Sequence, residues 1–126
     1  MRLTIEVSPG EAADKLTILN IKQDRIRDAE KLAHIRREAA LLDAALAPLR
    51  ARFPAILPLI AELRRVNEAL WEVEDSLRLH EKRGDFGAEF VRLARSVYVT
   101  NDRRAALKAE INAILGSDIA EQKSYA

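Results

Sequence analysis

The sequence contains no cysteine, four glycines, four prolines and only 5% aromatic residues. Without cysteine, neither disulfide bonds nor thiolate chemistry is available. The scarcity of turn-forming and aromatic residues disfavours a β-sandwich, which needs many tight turns and pleated surfaces. The 126 residues are 48% hydrophobic and 33% charged. This balance is typical of a globular chain and predicts one domain over residues 1–126.

An excess of either charge is also missing, since 21 basic and 20 acidic side chains leave a net charge of +1. Nucleic-acid-binding domains usually carry a large basic excess, so we expect no nucleic-acid partner. The longest apolar stretch, residues 53–61, contains two prolines and is far shorter than the ~20 residues of a membrane span. Residues 1–7 lack the long apolar stretch of a secretion signal. We therefore expect a cytoplasmic protein without membrane insertion.

Metal-ligand and phosphate-loop patterns are absent from the sequence as well. The only two histidines, His34 and His80, lack the spacing of a zinc site, and there is no glycine-rich loop. We expect no metal and no cofactor. No residue is assigned a catalytic role, and the chain is not expected to be an enzyme.

The hydrophobic periodicity predicts helices after a short opening segment. Residues 2–7 alternate between apolar and polar, which indicates a short strand or an extended arm. Ser8 and Glu11 form a capping box around Pro9, and the first helix is expected to run to about Arg27. The second helix begins near Asp28, and Pro48 is expected to kink or end it.

Two further helical segments follow. The third ends at Gly84, a residue that suits a left-handed helix cap, after a heptad-like seam consisting of Leu59, Leu63, Val66, Leu70, Val73, Leu77 and His80. Residues 88–115, closed by Gly116, form one helix or two. Residues 117–126 form a tail. The fold class is therefore all-α: an antiparallel bundle of three or four long helices after a short N-terminal strand or extended arm. The heptad-like seams permit coiled-coil-like packing within the bundle. Long helices in a short chain also leave flat exposed faces, so we expect a homodimer.

Polar residues interrupt the stripes beside these seams. Asn67, Trp71 and Glu74 follow one edge of the third helix, and a similar stripe on the last helix carries Tyr98, Asn101, Lys108 and Asn112. These stripes either line a ligand cleft or form half-buried helix boundaries. Buried amides need partners, which a ligand, the carboxylates Glu74 or Asp75, or a second copy would supply.

The first helix carries Lys15, Lys22 and Arg25 along one edge. Three cations on one stripe suit a phosphate or carboxylate, whereas the alternative is a solvated face balanced by acidic neighbours, Asp14 and Asp24. If the first and last helices meet, one anion site would combine Lys15, Lys22, Arg104 and Lys108.

Several of these segments together resemble a family of small uncharacterised bacterial proteins. The resemblance lies in residues 8–11, 14–22, 66–75, 84–87, 93–112 and 121–125, among them the strings SPGE, GDFG and EQKSY. It implies no established activity. It does imply a link with surface-polysaccharide metabolism, because such proteins are often encoded near genes of that pathway.

A second resemblance is to the all-helical chorismate mutases, which grip a dicarboxylate with Arg and Lys from a basic first helix. The spacing from Asp14 to Arg25 is one residue longer here than in that pattern. It implies an alternative function, a mutase or lyase that works by electrostatic gripping.

The leading hypothesis is a non-enzymatic accessory or binding protein with a polar cleft between the third and last helices. It would bind a small anionic or sugar-containing ligand, or a protein partner. A purely structural oligomerisation module is the third possibility. The expected ligand-binding residues are Lys15, Lys22, Asn67, Trp71, Glu74, Tyr98, Asn101, Arg104, Lys108 and Asn112.

Overall fold

The computed structural model describes residues 1–117, and these form an all-α bundle, as predicted. Its four α-helices are α1 (Pro9–Arg25), α2 (Ala29–Arg52), α3 (Leu57–Arg83) and α4 (Ala88–Leu115), with a single 3₁₀ turn at Pro54–Ile56 before α3. The predicted C-terminal tail lies outside the described residues from residue 118 onward.

The helix ends confirm the predicted caps at Ser8, Gly84 and Gly116, whereas the Glu11 side chain of the predicted capping box pairs with Lys108. The Ser8 side chain accepts a hydrogen bond from the Glu11 amide at 3.1 Å, and Asp28 accepts one from the Lys31 amide at 2.9 Å. Gly84 and Gly116 close α3 and α4 in the left-handed region, with φ of 64° and 65°. Glycine lacks a Cβ, so it adopts this conformation at little cost and ends each helix sharply.

The structure decides three points that the sequence left open. Residues 1–7 are exposed and form the extended arm and not the strand, because no neighbouring strand in residues 1–117 is present to pair with them. Pro48 does not end α2: the helix continues to Arg52 because Leu46, Leu49 and Phe53 anchor both sides of the proline in the core. The open question about residues 88–115 is resolved as one continuous helix.

α1 is the central element, and it packs against each of the other three helices. Ala13, Leu16 and Leu19 join the core that α2 shares. The opposite face, which turns toward α3 and α4, buries Gly10, Asp14, Thr17 and Ile21. Both sides of α1 are therefore buried, and the second side carries polar groups.

Burial divides the bundle into two regions. We call α1, α2, residues 57–72 and residues 101–115 the base, and residues 73–100 the hairpin arm. The base holds nearly all of the buried core, whereas Leu93 is the sole buried side chain among the described residues of the arm. Leu79, Val91 and Tyr98 of the arm are each about half exposed.

Within the described chain, no individual helix has both the length and the apolar character needed to cross a membrane. The bent pair Ala29–Arg52 and Pro54–Arg83, which turns by 115°, meets these criteria only when its two parts are taken together.

Candidate functional site

A buried carboxylate, Asp14, connects three helices at the centre of the base. Its side chain is 1% exposed. Arg104 from α4 donates to both of its oxygens, with Nε at 2.8 Å from Oδ1 and Nη2 at 2.5 Å from Oδ2. A two-point contact of this kind fixes the planes of both groups and is stronger than a single hydrogen bond.

Asn67 from α3 completes the arrangement around Asp14. Its Nδ2 donates to Asp14 Oδ1 at 2.9 Å and to Thr17 Oγ1 at 2.9 Å. Thr17 in turn donates to the Asp14 backbone carbonyl at 2.7 Å. In the described residues no buried side-chain nitrogen or oxygen lacks a partner. The network is therefore internally satisfied, which holds its members in one geometry.

The start of α1 is fixed to α4 on the same side of the base. The Gly10 amide donates to Asn112 Oδ1 at 2.7 Å, and Lys108 Nζ lies 2.7 Å from Glu11 Oε2. The approach is close: a Cβ on Gly10 would lie 2.5 Å from the Lys108 carbonyl oxygen. Glycine at this position thus allows backbone-to-backbone packing of the two helices.

A cleft of about 480 Å³ opens above this network between α1, α3 and α4. This size falls in the range of small-molecule sites. Asn67 and Arg104 of the Asp14 network also line this cleft. Trp71 provides an aromatic wall, and Asn101 provides a polar one. The remaining lining comprises four apolar residues, Ile18, Ile21, Leu70 and Val97, and three charged ones, Glu74, Asp75 and Arg78.

Trp71 is held in place at the end of α1. The Arg25 guanidinium carbon lies 5.7 Å from the indole centroid, within the range of a cation–π contact. Arg25 also pairs with Glu72 at 2.5 Å. The indole therefore has one cationic neighbour already, and it contributes to the cleft as a largely fixed wall.

The charges around the cleft do not favour anions. Its lining carries two cations, Arg78 and Arg104, and two carboxylates, Glu74 and Asp75. Arg104 already donates hydrogen bonds to both carboxylate oxygens of Asp14. With Asp14 included, the site holds one more carboxylate than cations.

Ion pairs also fix the neighbouring surface of the base. Arg64 on α3 pairs with Asp24 at 2.6 Å and with Glu68 at 3.0 Å. Hydrogen bonds from its guanidinium to these two carboxylates raise the pKa of Arg64 above its usual value. These contacts join α1 to α3 beside the cleft.

The predicted ligand-binding residues divide into three groups. Five of them line the one cleft: Asn67, Trp71, Glu74, Asn101 and Arg104. Lys108 and Asn112 are buried and bind the start of α1 instead. Lys15, Lys22 and Tyr98 do not line the cleft, and Tyr98 is 56% exposed. A ligand-binding role for any of the ten stays a prediction.

Three of the four cations proposed as one anion site contact separate carboxylates, although α1 and α4 meet. Lys15 pairs with Glu38 on α2 at 2.7 Å. Arg104 pairs with Asp14, and Lys108 pairs with Glu11. Each of these three cations has its own carboxylate, which satisfies the charge without a bound anion.

Sequence reasoning missed Asp14 and Thr17 as members of the network, since Asp14 among cations was interpreted as part of a solvated face. A signal was present: Gly10, Asp14, Thr17 and Ile21 recur at spacings of 4, 3 and 4. That spacing is a second helical seam beside the apolar one. Only the packing of α3 and α4 on this side determines that the seam is buried.

Among residues 1–117, no group of three or more potential metal-ligating side chains lies close enough together to hold a metal ion. Fold and site together define an all-helical protein with a ligand-sized cleft above a buried ionic network. Residues 3–126 match a family described as a family of unknown function (DUF6165), and the chain belongs to that family. Comparisons with curated proteins and with solved structures gave no significant match.

Proposed function

We propose that the protein is a non-enzymatic binding protein whose cleft takes a small, uncharged, sugar-containing ligand. The observation that carries the proposal is the composition of the cleft, in which one tryptophan and four aliphatic side chains lie beside two carboxylates, two amides and two guanidinium groups. A sugar ring has an apolar C–H face that suits an indole and hydroxyl groups that suit Asn101, Glu74 and Asp75.

The charges that line the cleft favour a neutral sugar over a small anion as its ligand. An anion would have to approach Glu74 and Asp75, and Arg104 is already engaged by Asp14. A neutral ligand meets no such repulsion and uses the carboxylates as hydrogen-bond acceptors. The link with surface-polysaccharide metabolism, implied by the family resemblance, supports the same ligand class.

Electrostatic gripping by a mutase or lyase receives less support. Such chemistry needs several cations aimed at one substrate. Lys15, Arg104 and Lys108 instead contact separate carboxylates of their own chain. The rigid network below the cleft suits binding, since it pre-organises the walls that a ligand would meet.

The experiment uses Trp71 as its own reporter, because it is the single tryptophan in the sequence. Titration with neutral methyl glycosides and disaccharides is expected to shift the indole emission and to raise the melting temperature. A ligand at 100 times its dissociation constant stabilises by about 2.7 kcal/mol. Inorganic phosphate, succinate and nucleotide sugars provide the anionic comparison and should bind more weakly.

A matched pair of variants on α4 locates the binding. Asn101→Leu removes an amide from the cleft wall and should weaken binding about tenfold or more. Tyr98→Leu, one turn away and outside the cleft, should leave it unchanged. Absence of binding by every neutral sugar, or tighter binding of phosphate or succinate, contradicts the proposal.

A further inference from the structure

The exposed face of α3 in the hairpin arm carries charges that find no ion pair within the described chain. They are Glu74, Asp75, Arg78, Glu81, Lys82 and Arg83. By contrast, Glu62, Arg64, Arg65, Glu68 and Glu72 on the same helix all have ion-pair partners. The change occurs where α1 ends, at the contact between Arg25 and Trp71.

This face is also grooved. A second cavity of about 640 Å³ adjoins the first, and Asp75 and Arg78 line both. Leu79, which is 49% exposed, and Lys82 line its far part. Another helix can pack into an open groove of this kind, which runs along one helix and has an exposed leucine at its middle.

The order of the charges identifies the occupant. On this face of α3 the acidic Asp75 comes first, and the basic Lys82 follows seven residues, about two turns, later. Two antiparallel copies of such a helix, related by a twofold axis, place the acidic part of each against the basic part of the other. A parallel copy would oppose like charges.

We propose that two copies of this chain dimerise through α3 of the hairpin arm, packed antiparallel about a twofold axis near Leu79. In this register Asp75 lies opposite Lys82 of the second copy, and the two Leu79 side chains lie beside the axis. The two arms together form a four-helix assembly. In it, α3 of each arm packs against a further helix, just as α3 of the base packs against α1. The pairing follows from charge order and exposure. It shares Asp75 with the proposed sugar site, but it does not require that ligand to be bound.

Charge-reversal variants test the register. Asp75→Lys and Lys82→Asp should each raise the dimer dissociation constant at least about tenfold, because each creates two like-charge contacts. An equimolar mixture of the two variants should form a heterodimer, since every contact is then complementary again. The doubly reversed variant, D75K together with K82D, should recover the wild-type dissociation constant to within about threefold.

Sedimentation velocity measures these states, and circular dichroism verifies that each variant is folded. Glu110→Lys, on an exposed turn of α4 in the base, is the control and should dimerise as the wild type does. A wild-type protein that stays monomeric at about 1 mM overturns the proposal. So does a dimer that neither single reversal weakens, or one that the mixture and the double variant fail to restore.

Discussion

The base and the hairpin arm differ in whether the charged side chains of the same helix, α3, have ion-pair partners. Up to Glu72, the charged side chains of α3 pair with α1 or with one another. Beyond that residue, α3 keeps its heptad-like spacing but extends past the end of α1, and its charges form no ion pairs in residues 1–117. The hydrophobic periodicity of a sequence thus specifies a helix, whereas the neighbouring helices determine which of its positions are buried.

The two regions also bury different kinds of groups. The base encloses Asp14, Thr17 and Asn67 together with its apolar core. The arm holds its helices together through half-buried apolar side chains and a tilted ring contact between His80 of α3 and Phe90 of α4, whose centroids lie 6.2 Å apart. Substitutions should therefore cost much more in the base.

The largest effect is expected for Asp14→Ala. The change leaves Arg104 and Asn67 without the carboxylate that both contact, so it should lower the free energy of unfolding by about 3–5 kcal/mol. Urea denaturation measures this loss. Glu38→Ala, which breaks the exposed pair with Lys15, should cost at most about 1 kcal/mol. Similar losses for the two variants would contradict a central role for Asp14.

Truncation of a leucine in each region gives the next contrast. Leu63 in the base is 0% exposed, so Leu63→Ala should cost about 2–5 kcal/mol. Leu79→Ala in the arm should cost less than about 1 kcal/mol, since its side chain is already half in water. Both variants are compared by chemical denaturation of the monomer. Equal costs would remove the distinction between base and arm.

Two glycines provide a smaller contrast of backbone packing. Gly10→Ala should destabilise by about 1–3 kcal/mol, because its Cβ would meet the Lys108 carbonyl and Asn112. Gly87→Ala should be close to neutral, since its Cβ would lie at an ordinary 3.4 Å from Asp85 Oδ1. Thermal unfolding distinguishes them, and a stable Gly10→Ala variant would disprove the close approach of α1 to α4.

The smallest effect concerns Glu89 on the arm, where a hydrogen bond from Arg92 lowers the pKa of the carboxyl group. A lowered pKa contributes stability above the unfolded value of 4.5, and this contribution is lost as the pH falls through the folded value. Glu89→Gln should therefore be slightly less stable than the wild type at pH 7, and this difference should shrink as the pH falls below 4.5. A stability difference between the two proteins that widens toward low pH would contradict the lowered pKa of Glu89.

Most of the fold was predictable from local chemistry. Ser8, Asp28, Gly84 and Gly116 act within one turn of their own helix, so the sequence is enough to identify them as caps. Pro48 shows the limit, because the packing of the residues around it allows α2 to continue. A local penalty of this kind is outweighed only by distant contacts.

The candidate site was predictable only in part. The spacing of Asn67, Trp71 and Glu74 on one helix, and of Asn101 on another, indicated residues that do line one cleft. The role of Asp14 depends on Arg104, ninety residues away in the chain, and no local pattern reveals that pairing. Exposed and buried carboxylates look alike in a sequence until their neighbours are known.

Native-state hydrogen exchange tests the division into base and arm most directly, measured on the Asp75→Lys variant so that the arm is unpaired. The amides of Leu63 and Leu107 should exchange only through global unfolding, whereas those of Leu77 and His80 should exchange through openings of clearly lower free energy. Equal opening free energies at all four amides would show that base and arm unfold as one unit and would contradict the division.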